Sequence, residues 1–342
     1  MDMKKSIKIL ALGVCAAMGF TMFAGCGSTG KSGGKVYLQA ITGADAVGVV
    51  DADYYLLAEP AVTAHAKKGY EIAGDLQALY GGEHGYPQAV LVAKKDLVDS
   101  YPGWVASFAK DVAQSASWLE MAEGAEVVSA VSANVADKDY ATTLKAALLT
   151  TEVMGRCGVW FSSAKDSKAQ VNSFLTEVLA VNSKATAMPT DAFFWEDAAS
   201  DGDVPLEEVT VYMPDGAPAM ALAEMMANDE ADDEVVYKVV DPSLIASTVT
   251  NTDMSKNADM CVLPLTAASK LLGKGADYKM VGVVTHGNLF LISKDGEVVT
   301  ADNMSVLKGK TIGVLKINEV PGLTLKVVLN KFGLEYEEIK TV

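Results

Sequence analysis

Histidine is nearly missing from this sequence: His65, His84 and His286 are the three in 342 residues. A zinc centre built on imidazoles, or a Ser-His-Asp triad, is therefore poorly supplied, and no HExxH run occurs. Cysteine is scarce as well. Of the four, only Cys157 and Cys261 lie beyond residue 34, and neither stands in a CxxC or metal-ligand spacing. Two buried small hydrophobes are expected there rather than a bridge. From residue 35 onward no GxGxxG, GxxxxGK[ST] or GxSxG motif occurs. Positive charge is short too: 28 Lys and Arg against 44 Asp and Glu leave a net charge of −16. That excludes a nucleic-acid partner, because a phosphate backbone demands a basic face. Aromatics are only 7%, but apolar residues make up 50%, enough for a packed core rather than a disordered chain.

What is present begins with a leader. Lys4, Lys5 and Lys8 form a basic start, followed by an apolar run from Ile9 to Ala24. Its sixteen residues fall short of the roughly 20 that span a bilayer as a helix. Basic start, short apolar run and small residues at its end describe a secretory signal. The ending Phe23-Ala24-Gly25-Cys26 resembles the lipobox of bacterial lipoproteins, whose cysteine is lipidated before the leader is removed. The resemblance implies a signal peptide over 1–25, lipid on Cys26, a flexible Gly/Ser tether over 26–34, and a body anchored to the outer face of the bacterial cytoplasmic membrane. An ordinary cleaved signal with an incidental cysteine is the alternative.

Along the body, strand-like runs alternate with helical patterns. Val36–Ile41 is followed by Ala44–Val50, then a helical stretch over Ala58–Lys68 closed by Gly69. Ala89–Ala93 reads as a strand. A long helix is expected from Gly103 to about Met121, with Val105, Phe108, Val112, Ser115 and Leu119 on one buried face. Helices over Tyr140–Gly155 and Lys168–Leu179 follow. Residues 196–208 are acidic and carry Asp-Gly and a proline, which makes them a linker. Beyond it, strands are expected at Val209–Met213, Glu234–Val240, Asp259–Leu263, Tyr278–Val284, Leu289–Ile292, Thr311–Leu315 and Tyr336–Lys340. Helices are expected at Ala217–Met226, Pro242–Thr250, Thr266–Leu272 and Gly322–Phe332. Such alternation indicates βαβ units, an α/β fold and a largely parallel sheet.

The run Val-Thr-Val-Tyr-Met-Pro-Asp-Gly-Ala-Pro-Ala-Met-Ala-Leu-Ala from Val209 to Ala223 resembles the first strand, turn and helix of ABC-transporter solute-binding proteins. The nearest group binds sulfonates and thiamine-pyrimidine precursors. Leu307–Leu315, Pro321–Leu325 and Leu329–Leu334 resemble that family's entry into its second lobe. Thr42–Ala46, Ala58–Ala61 and Gly69–Ile72 resemble the part after it. The resemblance implies a two-lobe fold of the periplasmic-binding-protein type II kind. It also implies that the halves stand in reversed order, with residues 35–195 matching the family's C-terminal half and 209–342 its N-terminal half. This is a circular permutation in which Glu338–Val342 would run into Lys35–Gln39. Permutation is tolerated where the former termini are close and exposed.

The candidate site follows from strand-to-helix turns, which aim free N–H groups at one gap. Asp215, Gly216 and Ala217 form the first such turn, Thr266 the second, Asn318 and Glu319 the third. Each has a plain alternative: a structural turn at Gly216, a helix cap at Thr266. Asp45 is an N-cap or a ligand group, and Glu59 a closing residue or a solvated helix start. His286 and Asn288 interrupt an apolar run and either face the cleft at the hinge side or form a solvated turn. Arg156 is the cation placed to grip an anion, or to form a surface salt bridge. Trp160 and Tyr212 are candidates for stacking on a planar ligand, or are core aromatics. The expected function is delivery of a small polar or heterocyclic solute to an ABC permease by lobe closure, without chemical conversion. No cofactor or metal is called for, and the body is expected to be a monomer. A sensory or structural lipoprotein and an enzyme on the same fold are the competing classes.

Overall fold

The computed structural model describes residues 34–82, 85–196, 208–228 and 235–340. Twelve strands occur there: β1 (Val36–Ile41), β2 (Tyr54–Ala58), β3 (Glu71–Asp75), β4 (Pro87–Lys94), β5 (Val159–Ser163), β6 (Val209–Pro214), β7 (Val235–Val240), β8 (Met260–Pro264), β9 (Tyr278–His286), β10 (Leu289–Ser293), β11 (Thr311–Leu315) and β12 (Tyr336–Ile339). The helices are α1 (Ala61–Ala66), α2 (Leu76–Tyr80), α3 (Lys95–Ser100), α4 (Pro102–Trp118), α5 (Gly124–Ala133), α6 (Thr151–Arg156), α7 (Ala164–Val181), α8 (Ala217–Met220), α9 (Ala223–Ala227), α10 (Leu265–Leu272) and α11 (Val320–Lys331).

The strands form two six-stranded sheets, ordered β12-β1-β11-β2-β10-β3 and β5-β9-β4-β8-β6-β7. We call the parts built on them lobe A and lobe B. Neither half of the chain is a lobe. The first half gives β1, β2 and β3 to lobe A and β4 and β5 to lobe B; the second half gives β6, β7, β8 and β9 to lobe B and β10, β11 and β12 to lobe A. The chain crosses between lobes after α2 and again between β9 and β10.

The sheets are mixed, not largely parallel as the alternation of elements suggests. β1, β11, β12 and β2 pair in parallel, as do β6, β7 and β8. Every antiparallel pairing involves β4, β9 or β10, the strands that flank a crossing. A strand that enters from the other lobe arrives without a crossover helix of its own, so it need not run with its neighbours. The parallel pairing of β1 with β12 also corrects the expected run of Glu338 into Lys35. Val36 lies opposite Tyr336 and Gln39 opposite Ile339, so the end of one strand sits beside the end of the other, not its start.

Local chemistry accounts for most elements. In α4 the expected face is buried throughout: Val105, Phe108, Val112, Ser115 and, just past its end, Leu119. Thr150 and Ser163 cap α6 and α7 through the amides of Val153 and Asp166, and the Asp75 carboxylate caps α2. α5 starts on a reciprocal Glu123–Glu126 capping pair that pattern reading passed over. The helix expected over Tyr140–Gly155 is confined to α6. The Ala217–Met226 helix is broken into α8 and α9, and Pro242–Thr250 keeps only a 3₁₀ turn at Ile245–Val249. The Ala58–Lys68 helix begins only at Ala61, because Tyr54–Ala58 is claimed as the buried strand β2. One apolar cluster spans both lobes, with Leu56 and Leu323 from lobe A and Val90 and Phe174 from lobe B. α11 of lobe A packs on α7 of lobe B and on α2. Residues 197–207 of the acidic linker expected at 196–208, and His84, lie outside the described residues.

Candidate functional site

The parallel strands of lobe A end at Ile41, Ala58 and Leu315, and β10 begins at the same edge, with Leu289 opposite Ala58. In lobe B, β6, β7 and β8 end at Pro214, Val240 and Pro264. β9 ends beside the start of β4, with His286 opposite Pro87. The two-residue step from His286 to Leu289 joins one edge to the other. The carboxyl edges of both sheets therefore meet at one seam, where ligands of open α/β sheets sit. Hydrogen bonds line both of its sides: the Glu59 amide donates to the Asn288 carbonyl (3.1 Å), extending the β2–β10 pairing of lobe A, and the His286 amide to that of Gly158 (2.7 Å), extending the β5–β9 pairing of lobe B. Lys316 of lobe A lies near enough to Asp241 of lobe B to help lower its carboxyl pKa, behind the larger effect of the Ser243 hydroxyl and amide.

Apart from Tyr212, which lies inside β6, the singled-out residues of the body lie on or beside these edges, but most of the side chains are already engaged. The buried Asp215 carboxylate accepts four hydrogen bonds, from the Tyr140 hydroxyl (2.9 Å), the Thr142 hydroxyl (2.6 Å), and the Thr143 amide and hydroxyl (both 2.7 Å). It fastens the 140–143 segment to the end of β6. That tie is why no α-helix forms over Tyr140–Leu149, where only a 3₁₀ turn at Ala146–Leu148 occurs. Burial, followed by the Asp215 charge, pushes the Tyr140 phenol pKa upward. Gly216 adopts φ 105°, a region that favours glycine, and nothing lies within 4 Å of where a Cβ would point. Ala217 begins α8.

Thr266 is buried in the first turn of α10. It does not cap that helix; its carbonyl accepts from the Thr186 hydroxyl (3.0 Å). Asn318 receives the buried Lys326 ammonium (3.4 Å), which also binds Glu338 (2.6 Å). Glu319 is exposed and pairs with Lys316 at 3.5 Å. Asp45 is exposed inside a 3₁₀ turn and is not its cap, a position held by Gly43.

Glu59 and Arg156 find each other. Glu59 is buried, not a solvated helix start. One of its oxygens receives Arg156 Nε at 2.9 Å and Nη2 at 2.8 Å. Arg156 is the only arginine in the chain. At the crossing, His286 is buried and stacked on Trp160, ring centroids 3.5 Å apart at 10°. Tyr212 instead lies under Lys238, 5.2 Å from its ring. Asn288 is 2% exposed, and its Oδ1 has no hydrogen-bond partner. Sequence reasoning missed Gln77 and Tyr86. The Gln77 Oε1 accepts from the Leu289 amide (2.9 Å) and the Tyr86 hydroxyl (3.2 Å), holding the two crossings together. The polar run 286–288 was the visible signal of the crossing; Gln77 carried none.

Beside the seam, a groove of about 370 Å³ opens on lobe B, lined by Thr151, Met154, Gly155, Val159 and Trp160 among others. Cys157 and Cys261 are buried and unpaired, and burial pushes both thiols up to about 12. No cluster of His, Cys, Asp and Glu is placed to hold a metal among the described residues. Cys26 lies outside them. The run 25–34 around it does carry the letters of GxGxxG, GxxxxGK[ST] and GxSxG. Those motifs work at a strand-to-helix turn; this run follows an apolar stretch of sequence and precedes β1, so composition alone accounts for them. No family model, curated protein or solved structure matches the chain.

Proposed function

We propose that the protein is a solute-binding lipoprotein. Lipidated at Cys26 on the outer face of a bacterial cytoplasmic membrane, it would trap a small polar or heterocyclic solute between its lobes and hand it unchanged to an ABC-type permease. In this reading the fold is a permuted form of the type II binding-protein architecture, and the body acts as a monomer. The observation that carries it is the seam, where the carboxyl edges of two sheets face each other across two short crossings. That is the geometry of hinge closure around a ligand.

The seam's charge bears on the kind of solute. The cations Arg156, Lys316 and Lys326 each have a carboxylate partner, while the buried Asn288 Oδ1 is an acceptor without a donor. A neutral or cationic solute that presents N–H groups suits this site better than an anion, since an anion needs free donors.

Native mass spectrometry of the protein from its own host tests the reading. The expected result is one small molecule bound at one per chain and released unchanged on unfolding. Conversion of that molecule during incubation would point to an enzyme, and a body that carries and binds no small molecule would sink the proposal. Lipidation is read separately: palmitate should label the full-length protein and not Cys26→Ala.

A further inference from the structure

The Glu59–Arg156 pair is unusual in where its members sit. Glu59 follows β2 in lobe A, and Arg156 ends α6 in lobe B. Each keeps a second partner inside its own lobe. The Glu59 carboxylate accepts from the Thr63 hydroxyl (2.9 Å) and amide (3.1 Å) at the start of α1. The Arg156 guanidinium binds Glu152 one turn earlier, Nη1 to Oε1 at 2.6 Å, and its Nη2 also donates across the seam to the Thr63 hydroxyl at 3.1 Å, a bond that is broken with the ion pair when the lobes part. Separating a buried ion pair is ordinarily very costly because a bare charge is left behind. Here neither charge is left bare. Water reaches the pair unevenly: the Glu59 side chain is fully buried and that of Arg156 26% exposed, so exclusion of water around the carboxylate strengthens its attraction to the guanidinium while the desolvation it costs keeps the net hold modest.

We propose that Glu59 and Arg156 form a reversible latch across the seam, made when the lobes close and released to Thr63 and Glu152 when they open. It rests on the closure reading given above. The Glu59 amide, bonded to Asn288 at the crossing, couples the latch to the hinge itself. Two discrete, fully partnered arrangements are what a bistable element requires.

Hydrogen–deuterium exchange of the whole protein, read on peptides covering residues 57–63 and 284–290, tests it. These hold the Glu59 and His286 amides, whose bonds to Asn288 and Gly158 lie at the two ends of the crossing, beside Glu59 and Arg156, on the lobe A and lobe B sides of the seam. In Glu59→Gln and Arg156→Ala their exchange should quicken tenfold or more, while amides of β4 and β11 keep the wild-type rate, and the radius of gyration should grow. Arg156→Lys, which keeps the charge and loses the two-nitrogen grip, should fall between and covers the case in which Arg156→Ala does not fold. Seam amides that stay at the wild-type rate in a folded variant, or that quicken only in step with β4 and β11, would overturn the latch. A recovered solute alongside indifferent variants would remove the latch and spare the function. Latch behaviour in a protein that binds no solute would do the reverse.

Discussion

At the scale of single residues, chemistry that looks available in the sequence is largely spent on holding the chain. Asp215 is the clearest instance. Its four hydrogen bonds make it a clamp, so Asp215→Ala should destabilise the body by about 2–3 kcal/mol in urea unfolding. A loss below 0.5 kcal/mol would show the clamp to be ornamental. Its neighbour Gly216 carries a second cost. A β-branched residue at φ 105° is strained whatever space surrounds it, so Gly216→Val should lower the melting temperature by itself. Any affinity change in that variant must be read against it. The thiols give a cleaner test. With burial holding both up to about 12, Cys157 and Cys261 should resist alkylation at neutral pH in the folded protein and react once it is unfolded, as mapped by mass spectrometry. Rapid native labelling of either would contradict the burial. The hinge run His286–Asn288 was legible because polar residues broke an apolar stretch. The partnership of Glu59 with Arg156 was not, because 97 positions separate them and each alone had an ordinary explanation.

Among elements, the sequence was most legible where one periodicity acts alone. α4 shows its buried stripe in the spacing of Val105, Phe108, Val112 and Ser115, and β6, β8 and β11 lie within a residue or two of expectation. Legibility failed where a distant residue decides. The 140–149 segment has helical composition, yet Asp215 and the Thr150 cap divide it. Sheet direction was hidden for the same reason, since only the crossings reveal which strands enter reversed. One element-scale clamp responds to pH. Asp259, at the start of β8, binds the Lys94 ammonium at the end of β4 (2.8 Å) and the amide and hydroxyl of Thr210 in β6 (2.9 and 2.7 Å). Burial alone would raise its carboxyl pKa, but Lys94 and Thr210 outweigh burial and hold it below the ordinary value. A lowered folded pKa contributes stability that is present above the unfolded value, near 4, and is lost as pH falls through the folded one. Asp259→Asn should therefore be less stable than wild type at pH 7 by about 1–2 kcal/mol, with the gap closing below pH 4 in parallel urea titrations. A gap that stays constant down to pH 3 would remove the clamp.

For the whole molecule, the permuted reading makes a demand that direct fusion does not meet. β1 and β12 run side by side in parallel, with Ile339 opposite Gln39 and Tyr336 opposite Val36, so a connection from the end of β12 to the start of β1 must travel back along a strand, roughly 10 Å. Parallel neighbours need a crossover of about a dozen residues. Moving residues 35–195 behind residue 342 should give a folded protein with the same far-ultraviolet circular dichroism when such a linker is supplied, and a poorly folded one without it. Equal folding of both versions would show that β12 is dispensable. Failure of the linked version would show that the two halves do not pair as the sheets indicate.

The place of β1 has a consequence in time. It is the first strand of the body to be made, and in its sheet it lies between β11 and β12, the last two. Its hydrogen-bonding edges thus stay bare throughout synthesis, and lobe A has no finished form until the final strand has left the ribosome. Such long-range pairing is slow to establish. A growing chain of this design stays threadable to its very end, and it needs protection against pairing with the wrong edge for as long as it waits.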